Sequence, residues 1–77
     1  MTFQQLQYIV SIDTHRHFAR AAEACFVTQP TLSSMVKKLE EELGVVLFDG
    51  SKSPVVPTGT GKAVIAQARS VLKEVTL

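Results

Sequence analysis

The amino-acid sequence predicts a small, mainly α-helical domain that carries one two-stranded hairpin and ends in a long amphipathic helix. Apolar residues recur at three- and four-residue spacings through most of the chain, which is the period of an amphipathic helix. Only residues 45–57 combine β-favouring runs with turn residues. The 77 residues are too few for two separate cores, whereas a hydrophobic content of 45% is enough for one.

The first helix is predicted over residues 3–14. Thr2 and Gln5 have the spacing of a capping box, in which each side chain binds the backbone N–H of the other residue. An apolar stripe follows at helical spacing and predicts the buried face, which comprises Phe3, Leu6, Ile9 and Val10, with Tyr8 and Ile12 beside them.

The second helix is predicted over residues 18–25 and the third over residues 29–43. The alanine-rich run at 18–25 favours a helix, and its small side chains allow another helix to approach closely. Thr28 is a good N-cap for the third helix, and Pro30 suits a first helical turn. Gly44 is a typical residue just beyond a helix end.

The third helix is predicted to have two different faces. At 100° per residue one arc is apolar and predicts core contacts by Leu32, Met35, Val36, Leu39 and Leu43. The opposite arc carries Pro30, Ser33, Ser34, Lys37, Lys38 and Glu41, and Gln29 and Thr31 project from the first turn. The acidic run 40–42 is predicted to be a solvated helix face.

The hairpin is predicted from the runs 45–48 and 55–56, which are separated by turn residues. Thr58 can cap a last helix whose apolar residues recur at near-heptad spacing. This spacing predicts a dimer seam that contains Val64, Ile65, Ala68, Val71, Leu72 and Val75. Because no glycine or proline ends this helix before Leu77, we expect the chain to be cut from a longer protein.

Composition excludes several classes of protein. Eight Lys and Arg against seven Asp and Glu give a net charge of +1, which is not the basic signature of many nucleic-acid binders. The first residues lack the basic and apolar regions of a signal peptide, and no apolar run approaches membrane-spanning length. With one cysteine and no internal disulfide, the sequence predicts a cytoplasmic protein with no membrane partner.

No residue pattern indicates catalysis, so we expect the chain not to be an enzyme. The sequence offers neither a general acid/base pair nor a nucleophile next to a base. His15, His17 and Cys25 do not have the spacing of a zinc site, and Cys25 is typical of a small core residue. Residues 59–62 lack the remaining positions of a phosphate-binding loop. We therefore predict neither a cofactor nor a metal.

Two functions fit the pattern of the helices. The third helix could enter the major groove of DNA, where Gln29 could read an adenine edge and small hydroxyl side chains and lysines could bind bases or phosphates. The loop around Lys52 could then reach an adjacent minor groove. Alternatively, the near-neutral charge suits a small helical dimerisation or protein-interaction module that binds no nucleic acid.

Residues 18–50 contain an ordered, ungapped motif, FARAAEACFVTQPTLSSMVKKLEEELGVVLFDG. With it, the chain from Phe3 to about Ala68 resembles the amino-terminal DNA-binding domain of LysR-type transcriptional regulators. Within that family, residues 15–18, 22–25, 29–33 and 71–75 are most similar to the branch that responds to hydrogen peroxide.

The resemblance implies a winged helix-turn-helix over residues 1–57, with three helices and a two-stranded wing. It also implies a long amphipathic linker and dimerisation helix over residues 58–77, before an effector-binding domain absent from this chain. The family's contacts to bases and phosphates correspond here to Gln29, Pro30, Thr31, Ser33, Ser34, Lys37 and Lys52.

The resemblance also implies partners and a role. The partners are double-stranded DNA with a palindromic operator, a second copy of the chain through the linker helix, and RNA polymerase in a full-length regulator. The implied role is regulation of the response to hydrogen peroxide, and regulation by a different small-molecule effector is the alternative within the family.

Two positions depart from the family pattern. Gly50 stands where an arginine is usual, so a phosphate or intersubunit charge contact that the resemblance implies is missing, and we expect anchoring of the wing to be weaker or shifted to Lys52. Ser34 stands where many members have an arginine, which leaves base specificity at that position open.

Overall fold

The computed structural model describes residues 1–51 and 53–75. This part of the chain forms a winged helix-turn-helix whose strands pair antiparallel, with Phe48 opposite Pro57 and Asp49 opposite Val56. The elements in order are α1 (Phe3–His15), α2 (Phe18–Ala24), α3 (Gln29–Leu43), β1 (Phe48–Asp49), β2 (Val56–Pro57) and α4 (Gly59–Val75). The predicted fold class is confirmed.

The start of α1 and both ends of α3 follow from local signals that the sequence predicts. The Thr2 hydroxyl accepts from the Gln5 N–H at 3.1 Å, and the Gln5 side chain accepts from the Thr2 N–H at 2.8 Å, so the capping box is present. The Thr28 hydroxyl caps α3 by accepting from the Thr31 N–H at 3.3 Å. Gly44 ends α3 at a φ of +71°, which is favourable for glycine.

The core lies where α1, α2 and α3 meet the start of the wing. Its largest fully buried side chains are Ile9, Ile12, Leu32, Leu39 and Leu47. Ala21 and Ala22 are also buried, as the prediction of a close helix approach requires.

The structure corrects several predicted core and strand positions. Phe3 and Leu43 are 43% and 37% exposed, so these two residues lie outside the core. Val45 and Val46 lie before β1, which begins at Phe48. The reason is that the backbone N–H of Val45 donates to the carbonyl of Glu40, which extends the C-terminal cap of α3 instead of a strand.

The helix α4 packs against α1, so that some of its apolar residues are buried in the core while others are exposed. Ile65 and Ala68 are 3% and 1% exposed because they complete the core of their own chain, so they are core residues and leave little surface for the predicted dimer seam. Leu72 packs partly against the same core. An ion pair fixes the outer edge of the contact, with Arg69 at 2.8 Å from the Asp13 carboxylate. In the described part of the chain, none of the helices is long and apolar enough to cross a membrane.

Candidate nucleic-acid interface

The helix α3 has a buried apolar back and an exposed polar front. Leu32, Val36 and Leu39 hold its back in the core. The predicted site residues Gln29, Pro30, Thr31, Ser33, Ser34 and Lys37 are all exposed, as is Lys38. Lys52, the predicted wing contact, lies outside the described residues. The structure therefore brings six of the predicted contacts together on one accessible surface, which we call the α3 front.

Some of the side chains at the N-terminal end of α3 already have hydrogen-bond partners within the chain. The Thr28 and Thr31 hydroxyls are 2.9 Å apart and hydrogen-bonded, and Pro30 has no N–H to satisfy. The Gln29 side chain, in contrast, makes no hydrogen bond with the described residues. The Gln29 side chain thus keeps all its donors and acceptors free, and the Thr31 hydroxyl, which accepts from the Thr28 hydroxyl, still has its own proton to donate.

A shallow groove runs between α3 and the start of the wing. Its lining includes Ser33, Lys37 and Glu40 of α3 and, from elsewhere, Phe18, Phe48 and Gly50. A Cβ atom built at Gly50 would meet nothing within 4 Å, so the side chain that this glycine lacks would have room. Within residues 1–51 and 53–75, Lys37 forms no ion pair, and its ammonium group is available to an outside anion.

The two arginines near the start of α2 differ in availability. Arg16 is held by Asp13, with its guanidinium 3.0 Å from the carboxylate and its Nε donating to the Asp13 carbonyl at 2.8 Å. Arg20 is exposed and unpaired in the described part of the chain. Only Arg20 is therefore free to bind a phosphate without breaking an existing ion pair.

The wing is attached through contacts at Leu47, the residue just before β1. The Glu40 carboxylate accepts from the Leu47 N–H at 2.7 Å, and the Leu47 carbonyl accepts from the Thr58 N–H at 2.9 Å. The prediction that the run 40–42 is only a solvated face is wrong for Glu40. Charge patterning gave no signal for this contact, because the partner lies seven residues away beyond the end of the helix.

The described residues contain no group of three His, Cys, Asp or Glu side chains that could hold a metal ion. Cys25 is a half-buried free thiol at the end of α2 that packs against the core, as its pattern predicts.

Comparison with known proteins gives consistent similarities. Residues 3–62 match the family described as bacterial regulatory helix-turn-helix protein, lysR family. The chain is 48% identical over 75 residues to the DNA-binding transcriptional dual regulator OxyR of Escherichia coli (strain K12), covering 97% of this chain and 25% of that protein. It is 53% identical to full-length OxyR from Pseudomonas aeruginosa, with a TM-score of 0.92 and coverage of 97% of this chain and 25% of the other.

A solved DNA complex is also similar. The BenM DNA-binding domain bound to benA site 1 DNA has a TM-score of 0.94 and 33% identity, covering 97% of this chain and 84% of the other. The chain spans about a quarter of the length of the OxyR proteins that it matches.

Proposed function

Because the chain belongs to the lysR family of bacterial regulatory helix-turn-helix proteins, we propose that it binds double-stranded DNA in a sequence-specific manner, with α3 in the major groove. The observation that carries this proposal is the α3 front, a polar and basic surface with free hydrogen-bonding groups on a helix whose back is fixed in the core. A helix fixed in this way can insert its first turns without rearranging the fold.

The residues of the α3 front divide by chemistry. Gln29 can form two hydrogen bonds with an adenine edge, and Ser33 and Ser34 are short enough for the helix to lie deep in the groove. The Thr31 hydroxyl can bind a phosphate while Thr28 holds its orientation. Pro30 contributes van der Waals contact. Lys37, together with Lys52, the predicted wing contact, would neutralise phosphates.

We also propose a regulatory role in the response to hydrogen peroxide, in the cytoplasm. It is supported by the 48% identity to OxyR and to proteins named hydrogen peroxide-inducible genes activator, for example from Pectobacterium carotovorum subsp. carotovorum. Regulation by another small-molecule effector is the alternative. A reporter driven by the chain's selected DNA site, in cells that produce the full regulator, should respond to peroxide under this proposal.

DNA binding is tested by titrating a labelled random duplex at several salt concentrations and following fluorescence anisotropy. A DNA-binding domain should bind at low salt, with a log affinity that falls linearly with log salt. A site enriched from a randomised duplex library should bind more tightly than random DNA. Absence of salt-dependent binding would instead favour the helical protein-interaction module.

We propose that the chain dimerises through the outward side of α4. Val71 and Val75 are 43% and 58% exposed. Val64, which packs partly against the core, lines an apolar groove together with Val71, Met1 and Leu43. A two-fold dimer of this kind would suit a palindromic operator. Contact with RNA polymerase stays a proposal for the full regulator.

Val71→Asp is expected to shift the isolated chain from dimer to monomer, because dimerisation would bury an unpaired charge. Val71 is a cleaner target than Leu72, which also packs against its own core. Sedimentation velocity of the wild type, of the Val71→Asp variant and of a control variant provides the measurement. The control is Ala66→Asp, which adds the same charge at an exposed position of α4 beside Arg16 and Arg69. Equal dimerisation of the Val71→Asp variant and the wild type, or a monomeric wild type, would contradict the seam.

Gly50→Arg is expected to tighten binding to all DNA sequences, because it restores a cation beside the α3 front at a position with open space. The slope of log affinity against log salt should steepen by about 1. Gly50→Ala is the matched control for loss of the glycine, and its slope should equal that of the wild type. Equal slopes for the arginine and alanine variants would show that position 50 does not reach a phosphate.

A further inference from the structure

We propose that Glu40 is a positioning residue for DNA binding, which fixes the wing relative to α3 through the backbone of Leu47. This inference rests on the proposed function, since the wing has a role only if the chain binds DNA. Glu40 itself touches no base or phosphate in this proposal.

The first support is the hydrogen bond of the Glu40 side chain. Its Oε2 atom accepts from the Leu47 N–H at 2.7 Å, which is short and typical of a bond to a charged acceptor. The Glu40 carbonyl also accepts from the N–H groups of Gly44 and Val45, at 2.8 and 3.2 Å. One residue of α3 therefore binds the connection at three points before β1 begins at Phe48.

The second support is the set of contacts that the backbone of residues 46–47 makes with Thr58 and with the start of α4. The Leu47 carbonyl accepts from the Thr58 N–H at 2.9 Å, and the Thr58 hydroxyl donates to the Val46 carbonyl. A Cβ atom at Gly61 would lie 2.0 Å from the Leu47 oxygen, so α4 is in close contact with this backbone. Leu47 is 0% exposed. Its backbone is thus held by α3 on one side and by α4 on the other.

The third support is the position of the Glu40 carboxylate. Glu40 lines the groove that contains Ser33 and Lys37, but in the described part of the chain it pairs with no cation. A carboxylate beside this surface repels phosphates. The charge of Glu40 therefore opposes DNA binding, whereas its hydrogen bond to Leu47 can favour binding because it fixes the position of the wing.

The test separates the hydrogen bond from the charge. Glu40→Gln removes the charge and keeps an oxygen that can accept from Leu47, whereas Glu40→Ala removes both. We expect the glutamine variant to bind the selected site at least as tightly as the wild type and the alanine variant to bind roughly tenfold more weakly than the glutamine variant. Glu41→Ala, which removes a neighbouring exposed carboxylate, should bind at least as tightly as the wild type. Anisotropy titrations are run at a temperature at which circular dichroism shows each variant folded.

A second measurement distinguishes positioning from a general effect on the fold. In the Lys52→Ala background, the difference in affinity between the Glu40→Ala and Glu40→Gln variants should largely disappear. In the wild-type background, Glu40→Ala should lower the slope of log affinity against log salt by about 1, as loss of one phosphate contact does. Equal affinities of the two Glu40 variants, or an unchanged difference in the Lys52→Ala background, would overturn the proposal. Both experiments require a wild-type chain that binds DNA. If the wild type fails to bind in the salt titration with random duplex, the proposed function fails, and that outcome is distinct from failure of the role of Glu40.

Discussion

Gly61→Ala is expected to destabilise the domain by about 3 kcal/mol, at the upper end of the cost of overpacking. The added Cβ would lie 2.0 Å from the Leu47 oxygen and 2.9 Å from its carbonyl carbon. Both atoms belong to the backbone, which is itself hydrogen-bonded to Thr58, so neither a side-chain rotation nor a small shift can make room. Because domains are stable by only about 5–15 kcal/mol, this loss is a large part of the total. Urea denaturation followed by circular dichroism measures it.

Gly59→Ala is the matched control for this experiment. It makes the same chemical change two residues earlier in α4, where a Cβ atom meets nothing within 4 Å. We expect a neutral effect or a gain of about 0.5 kcal/mol, since alanine reduces the entropy of the unfolded chain. Equal stabilities of the two alanine variants would mean that α4 does not approach Leu47 as closely as the structure has it.

Gln29→Ala is expected to reduce discrimination between the selected site and random duplex by about 1–3 kcal/mol, because it removes a side chain that can form two bonds with an adenine edge. Alanine is a good helix former, and the Gln29 side chain has no hydrogen bond within the described residues that the substitution would break. Anisotropy titrations of both duplexes provide the measurement.

Lys37→Ala is the contrasting variant for Gln29→Ala. If Lys37 neutralises a phosphate, its loss should weaken binding to both duplexes by the same factor and lower the salt slope by about 1. Lys62→Ala, which removes an exposed lysine in the groove lined by Asp13 and Arg69, should leave the slope unchanged. An equal loss on selected and random DNA for Gln29→Ala would exclude a base-reading role for this residue.

Local signals predicted most of the fold. The bounds of α3 agree with the prediction at both ends, because Thr28 and Gly44 act through hydrogen bonds and dihedral angles within a few residues. The exposure of Gln29, Ser33 and Lys37 also followed from helical periodicity, since the apolar arc had to face the core. Their roles in binding DNA stay predictions until the variants are measured.

The sequence by itself determined the helices, the caps at Thr2, Thr28 and Gly44 and the polar front of α3, because each depends on neighbours that are near in the chain. Only the tertiary structure decided that Ile65 and Ala68 face inward while Val71 faces outward, since a single apolar arc of α4 does not say how much of it α1 will cover. The tertiary structure likewise decided that Gly61 must be a glycine and that Glu40 binds Leu47. Glu40 and Leu47 are 7 residues apart across the connection after α3, and Leu47 and Gly61 are 14 residues apart across the whole wing, so helical spacing carries no information about either contact.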